Sequence, residues 1–215
     1  MIQAKTYLKI FIPAVLIVLL ALTIRIFQYE PQFPKITEKE AQTGLNIPIF
    51  PQDPLLGNKK APQTIIVFED MACTHCAEQF EIFQTLLEQY PNQVKIIWKG
   101  LPIAKFPYDT NEAHAYAYCA KEQKQFIPFV QYAFVNGDNL STQTLDLIVQ
   151  QVESLDAKKL STCLTKEQTN IDTYIAGNVD IARQLDIKSV PATFINHKQV
   201  VATSLDEWKA ILNLQ

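Results

Sequence analysis

Glycine is scarce in this chain, with five residues among 215 against twelve prolines. Flexible Gly-rich linkers and the glycine loops that cradle phosphates are therefore poorly supplied. No internal repeat or low-complexity tract occurs, which excludes solenoids and propellers. A basic surplus is lacking as well. The net charge is −3, and residues 1–27 hold Lys5, Lys9 and Arg25 without an acid, leaving 16 bases against 22 acids from residue 28 onward. That balance does not give the clustered basic footprint of nucleic-acid binding. Methionine occurs only at Met1 and Met71, which leans against a thioether-rich site for soft metals. What remains is ordinary: 48% hydrophobic and 19% charged residues suit one globular domain with a core.

The exception to ordinary composition is the N-terminus. Ile10 to Ile24 is an uncharged apolar run of fifteen residues, which as a helix reaches about 22 Å against a hydrocarbon core of about 30 Å. Tyr7, Leu8, Ile26 and Phe27 extend it to spanning length if Lys9 and Arg25 snorkel outward. The rival is a cleaved signal peptide, but the exit from Thr23 to Tyr29 offers no small-x-small cleavage site. Residues 1–27 are therefore expected to be a single-pass membrane anchor. Lys5, Lys9 and the start amine outweigh Arg25, which keeps the N-terminus cytoplasmic and sends the rest of the chain across. Disulfides persist on that side. Residues 28–46 mix Pro, Lys, Glu, Gln and Thr without apolar periodicity and read as a stalk. Residues 47–215 read as the domain.

Within the domain, Thr64 to Glu69 is a β-branched apolar run, most simply a buried strand. Apolar positions 80, 83, 86, 87 and 90 then make a helical stripe from Cys76 to Tyr90, stopped by Pro91. Val94 to Trp98 is a second strand, so the segment predicts a βαβ unit. Helices follow over Ala113–Ala120, Phe126–Phe134, Thr142–Val152, about Ala157–Leu164 and Gln168–Leu185. Phe80, Phe83, Phe126, Phe129 and Phe134 fall at helical spacings and are read as core. Ala192–Ile195 and Gln199–Ala202, joined at Asn196-His197, predict a hairpin. Ser204 and Glu207 form a capping box that opens a last helix. The outline is an α/β domain interrupted by a helical insertion at about 107–186.

Cys73-Thr74-His75-Cys76 lies between the first strand and the first helix. The first turn of a helix has unpartnered N–H groups and a partial positive charge, which stabilise a thiolate. Two intervening residues bring both sulfurs onto one turn, so the pair can open and close as a disulfide. Cys73, at the helix mouth, is the expected nucleophile, and Cys76, one turn inward, the resolving thiol. His75 is expected to stand near Cys73 as a donor to its thiolate. Other chemistries fit a bare CxxC. Structural zinc would need a second pair, and Cys119 and Cys163 are isolated in sequence. A Cu(I)-binding module could use Cys73, His75 and Cys76. An inert structural disulfide is a third alternative. His114 and His197 are read as structural or solvated.

Asp53 to Pro62, then the strand, then Asp70-Met-Ala-Cys73-Thr-His-Cys76, resembles the opening of the DsbA-like thiol–disulfide oxidoreductases. Ala117 to Phe126 resembles that family's helical-insertion signature, and Ser189-Val190-Pro191 to Asn196 its loop facing the active site. The resemblance covers about residues 53–212 and implies a thioredoxin-like fold that needs no cofactor and holds no metal. It also implies a cis Pro191 beside Cys73, with the Val190 backbone pairing to substrate. The implied partners are exported proteins with cysteine thiols, and a quinone-linked membrane protein that restores the disulfide. Some members carry a second disulfide at places comparable to Cys119 and Cys163; two buried thiols, or a relay passing electrons to Cys73, are the alternatives. Thr74 departs from the usual Pro or Gly. Val67 stands where the family places a buried Glu as proton relay for the inner thiol, and Glu69 is not an evident replacement. The expected activity is disulfide donation to exported proteins; the same fold could also run in reverse as a reductase or isomerase.

Overall fold

In a computed structural model of the chain, residues 12, 13, 15–23 and 47–214 are described. The chain divides into two compact units, Met1–Lys35 and Ile36–Gln215. In the first, the described residues are helical, and Ile12, Leu16, Ile17, Val18 and Leu20 are each more than half exposed. Among the described residues no helix is long and apolar enough to cross a membrane. The other positions of the expected anchor, and the expected stalk at 28–46, lie outside the described residues.

The second unit is built on a five-stranded mixed sheet of order β1-β3-β2-β4-β5. Its strands are β1 (Leu55–Gly57), β2 (Gln63–Glu69), β3 (Val94–Gly100), β4 (Ala192–Ile195) and β5 (Lys198–Val200). Helix α1 (Thr74–Gln89) joins β2 to the parallel β3, as the βαβ pattern predicts. Between β3 and β4 come α2 (Asn111–Glu122), α3 (Phe126–Val135), α4 (Thr142–Gln151), α5 (Ala157–Lys166) and α6 (Gln168–Gln184). Helix α7 (Leu205–Ile211) closes the domain. This is the thioredoxin-like α/β fold expected from the sequence.

Strand alternation divides the core in two. Ile65 and Val67 of β2 pack with Ile96 and Trp98 of β3 against Phe80, Phe83 and Leu86 of α1 and Trp208 of α7. Phe68 of β2 points to the opposite side, where Phe194 meets it edge-on and Ile181 and Ala182 of α6 cover both. Each such side chain taken out of water contributes roughly 1.5–3 kcal/mol. Capping fixes several helix starts. Ser141 accepts from the Thr144 N–H, and Asp156 from Lys158 and Lys159. At Ser204 the capping box forms in modified shape: Glu207 donates its N–H to Ser204, but its carboxylate reaches back to the N–H of Thr203.

Three features depart from the expected pattern. β1 is too short to leave a periodic signal and pairs antiparallel with β3. β5 starts at Lys198, because Asn196 and His197 both take positive φ, the two-residue turn that pairs Ile195 with Lys198. On the α6 face, Lys99 is fully buried with its Nζ 2.6 Å from Asp53 Oδ2, while Tyr174 donates to Asp53 Oδ1. That ion pair ties the segment before β1 to the sheet and to α6.

Cys119 of α2 and Cys163 of α5 are bonded as a disulfide, with Cα atoms 5.8 Å apart and 44 positions between them in sequence. Closing a loop of that length is worth about 2–4 kcal/mol by restricting the unfolded chain. Peptide mapping of the unreduced protein is expected to recover a Cys119–Cys163 cross-link that survives mild reductant, since Cys119 is fully buried. Free, alkylatable thiols at both positions would count against it.

Candidate active site

The sheet topology assembles the site from three chain segments. β2 ends at Glu69, and the turn through Asp70 delivers Cys73, whose N–H donates to the Asp70 carbonyl at 3.0 Å. Because β4 runs antiparallel to β2 with Ala192 opposite Phe68, the residues just before β4 lie at the same end. Those residues are Val190 and Pro191, joined by a cis peptide. The Val190 carbonyl sits 3.6 Å from Cys73 Sγ. Thr193 of β4 donates to Gln79 of α1, a second tie between the two segments.

Cys73 occupies the N-cap of α1 in extended conformation, and its sulfur accepts the Cys76 N–H at 3.2 Å, the role a Ser or Asp oxygen usually fills. Its pKa is pushed down to about 6, first by the hydrogen bond from the Cys76 thiol, against partial burial, then by the N–H groups of Cys76 and His75. The Asp70 charge works the other way. Cys76 is fully buried. Burial, donation of its S–H to Cys73 and the charge of Glu69 push its pKa far above the ordinary thiol value. The pair is thus poised as an outer thiolate and an inner thiol.

His75 does not stand where the sequence placed it. Its ring is exposed, with Nδ1 3.1 Å from Glu78 Oε2 one turn along, and that partner raises its pKa. What it gives Cys73 at short range is a backbone N–H, with the ring charge acting from farther away. The i, i+3 spacing on α1 explains the capture, since Glu78 lies on the same face. The ring therefore does not join the two sulfurs as a third ligand, and among the described residues no group of three or more His, Cys, Asp and Glu could hold a metal.

Glu69 is the residue the sequence reading passed over. Val67 and Glu69 are two apart on β2 and so share a face, which moves the buried acid one pleat nearer the cysteines. Glu69 is fully buried; Trp98 Nε1 donates to its Oε2 at 2.7 Å, and Oε1 has no partner. Burial pushes its pKa up to about 8, the Trp98 hydrogen bond opposes that, and the Cys73 charge adds to it. A carboxyl of that pKa carries a proton at neutrality and can pass it to Cys76. His114, read as structural, also lies here. It is buried, stacked on Trp98 with centroids 5.5 Å apart, and its Nε2 is 3.6 Å from Asp70 Oδ1. Gly100 permits this, because a Cβ there would lie 2.3 Å from His114 Nδ1. No local signal in the sequence marks that contact.

An acidic outer thiol, a buried inner thiol and a protonated acid behind it suit reversible dithiol–disulfide exchange on a thioredoxin-like scaffold. The chain belongs to the thioredoxin family, whose model matches residues 50–213. Among solved structures it is similar to the thiol-disulfide exchange protein α-DsbA2 of Wolbachia pipientis, with TM-score 0.69 and 16% identity over 81% of this chain and 91% of that one. The catalytic domain of Proteus mirabilis ScsC matches with TM-score 0.62 and 22% identity, over 81% and 93% of the two chains. Oxidised BdbD of Bacillus subtilis matches with TM-score 0.63 and 18% identity, over 75% and 91%. These likenesses agree in fold with the DsbA-like resemblance read from the sequence. A curated relative, the Na(+)/H(+) antiporter NhaA 3 of Salinispora tropica, is 26% identical over 162 residues. That match takes in 74% of this chain, which spans about a quarter of the antiporter's length (24%).

The raised Glu69 pKa has a testable sign. The unfolded chain gives up this proton near the ordinary 4.5 and the folded chain only near 8, so stability falls as pH rises between them. The full shift corresponds to about 5 kcal/mol at about 1.4 kcal/mol per pH unit, and the oxidised protein, which lacks the Cys73 charge that adds to the shift, loses less than that. Glu69→Gln is expected to remove most of that slope in denaturant titrations run from pH 5 to 8. It should also slow protonation of Cys76 by about tenfold or more. Parallel pH–stability curves for the two proteins would show that Glu69 is not the buried acid described.

Proposed function

We propose that the protein is a membrane-anchored, extracytoplasmic thiol–disulfide oxidoreductase that introduces disulfides into exported proteins by exchange at Cys73 and Cys76. The observation that carries this reading is the split between the two thiols, one pushed down to about 6 and the other pushed far up. A disulfide is oxidising to the extent that its reduced form is stabilised, and a stable Cys73 thiolate does that. The apolar, exposed side chains of Ile12, Leu16, Ile17, Val18 and Leu20 support the anchor. The predominance of residues that favour an N-terminus held on the cytoplasmic side supports the location.

The exchange runs in two displacements. A client thiolate attacks Cys73 Sγ, the Cys73–Cys76 bond breaks, and Cys76 leaves with the electron pair. Glu69, neutral at pH 7, donates its proton to the Cys76 thiolate, which burial would otherwise penalise. The Cys73 sulfur that now carries the client lies 3.6 Å from the Val190 carbonyl and accepts the Cys76 N–H. A second client thiolate then attacks the client sulfur of the mixed disulfide. Cys73 leaves as a thiolate, which its low pKa favours. Two electrons have passed from the client to the cysteine pair. Restoring the disulfide needs an electron acceptor, by resemblance a quinone-linked membrane protein.

Cys76→Ala is expected to accumulate mixed disulfides through Cys73, and Cys73→Ser none. Equilibration with glutathione buffers should give a potential above the roughly −270 mV of a thioredoxin. Equal trapping by both variants would defeat the division of roles. A thioredoxin-like potential would turn the reading toward a reductase or isomerase. Protease added outside intact cells should digest the domain and leave a membrane-retained N-terminal fragment; full protection would contradict the assigned side.

A further inference from the structure

His114 is a buried imidazole, and neither of its ring nitrogens has a hydrogen-bond partner among the described residues. An orphaned polar ring in a core costs free energy, and Phe would fill the same space without that cost. The surroundings nevertheless make room for it. Its ring stacks on Trp98 with 22° between the planes. β3 gives up a side chain at Gly100, where a Cβ would lie 2.9 Å from the Trp98 ring as well as 2.3 Å from His114 Nδ1. Gly100 has no positive φ, so the space and not the backbone calls for glycine there. The charged group that this ring faces is Asp70, with Nε2 3.6 Å from Oδ1.

Asp70 is fixed in the turn that carries Cys73. The same Oδ1 accepts the N–H of Ala72, the residue before Cys73, at 3.2 Å, and the Asp70 carbonyl accepts the Cys73 N–H. Oδ2 accepts the N–H groups of Ile103 and Ala104 and the Thr110 hydroxyl, at 2.7, 2.8 and 3.0 Å. Burial pushes the Asp70 pKa up, but His114 and the N–H groups of Ala104 and Ala72 together hold it below the ordinary value, so it is ionised at neutrality. With Glu69 protonated, Asp70 is the fixed negative charge beside Cys73, and it works against the outer thiolate. The carboxylate that shapes the turn thus opposes the charge that the exchange needs.

We propose that His114 is a positioning residue for the redox couple: stacked on Trp98 and set against Asp70, its imidazole offsets the carboxylate and so keeps the Cys73–Cys76 disulfide oxidising. The inference rests on the exchange reading above and deepens it. His114 acts through Asp70 and not through a bond to either sulfur. Opening the disulfide leaves two electrons on the sulfur pair and, once Cys76 is protonated, one lasting negative charge, on Cys73. That charge appears beside Asp70, in a site where charges are poorly screened. Nε2 offers Asp70 an N–H dipole in the neutral ring and a full charge in the protonated one, and either lowers the repulsion.

Three substitutions in the full chain test this. His114→Phe keeps a flat ring for Trp98 and removes both nitrogens. His114→Gln returns an N–H donor, and Asp70→Asn removes the charge on which His114 acts. Two quantities are read: the acid constant of Cys73 from thiolate absorbance in the reduced chain, and the equilibrium of the cysteine pair with glutathione buffers. In His114→Phe the four hydrogen bonds left to Asp70 keep it ionised. The Cys73 acid constant is then expected to fall about tenfold, and the equilibrium at pH 7 to move about fivefold toward the disulfide. His114→Gln should recover at least half of both effects. Made on top of Asp70→Asn, His114→Phe should leave both quantities within about twofold of the Asp70→Asn protein. A merely structural role would shift the Asp70→Asn protein as much, and Gln would rescue nothing. If Asp70→Asn does not fold, His114→Phe and His114→Gln decide between themselves, and equal shifts in the two overturn the proposal. An unchanged acid constant in His114→Phe, or the same change with and without Asp70, overturns it too. Failure of the wild type to exchange with glutathione would instead overturn the exchange reading, while the acid constants, which need no exchange, would still test His114.

Discussion

The contrast between a Cys73 sulfur held at a helix mouth and a fully buried Cys76 thiol sets the conditions that the surrounding structure meets. It needs one sulfur charged and the other neutral at the same pH, although the two residues are chemically identical and three positions apart. The difference is made by place. Cys73 caps a helix, where unpartnered N–H groups converge on its sulfur. Cys76 lies one turn inward and is fully buried, where no water relieves a charge. The same low polarity that keeps Cys76 protonated raises Glu69, so the inner thiol and the buried acid are neutral together. An ionised Glu69 would oppose the negative charge that gathers on the leaving Cys76 sulfur; a neutral one supplies the proton that this sulfur takes.

The remainder of the fold keeps those placements fixed. Parallel pairing of β2 with β3 sets Glu69 level with Gly100 and lets Trp98 reach its carboxyl. Antiparallel pairing of β2 with β4 brings Val190 to the Cys73 sulfur. Gly137, at the end of α3, approaches the active-site turn so closely that a Cβ would lie 2.9 Å from the Met71 carbonyl. On the opposite face the buried Lys99–Asp53 pair anchors the chain before β1. Such a pair is weak evidence for net stability, but losing either partner leaves a charge in the core and costs about 3–5 kcal/mol.

Much of this was legible in the sequence, and the reason is that it is local. The β2–α1–β3 unit, the five helices after it and the hairpin follow from periodicity, Pro91 and the Ser204 cap. The CxxC position between a strand and a helix already implies an outer and an inner thiol. What escaped depends on contacts far apart in sequence or on side-chain direction. His75 was expected to turn to Cys73, yet Glu78 on the same helical face holds its ring. A count back from Cys73 falls on Val67 and misses Glu69, which the pleat of the strand places on the same face one step nearer the cysteines. His114 and Lys99 gave no signal, since nothing in an Ala- and Tyr-rich helix or a short strand announces a buried polar partner 44 or 46 positions away.

The measurement closest to the central claim is a pH titration of the Cys73 thiolate in the reduced chain, followed by ultraviolet absorbance with Cys73→Ser as the blank. The account predicts a single transition with its midpoint near pH 6, and no second thiolate appearing up to the pH at which the protein unfolds. A midpoint at the value of a free cysteine, about 8.5, would contradict it, because neither the helix mouth nor the Cys76 thiol would then be stabilising the outer sulfur.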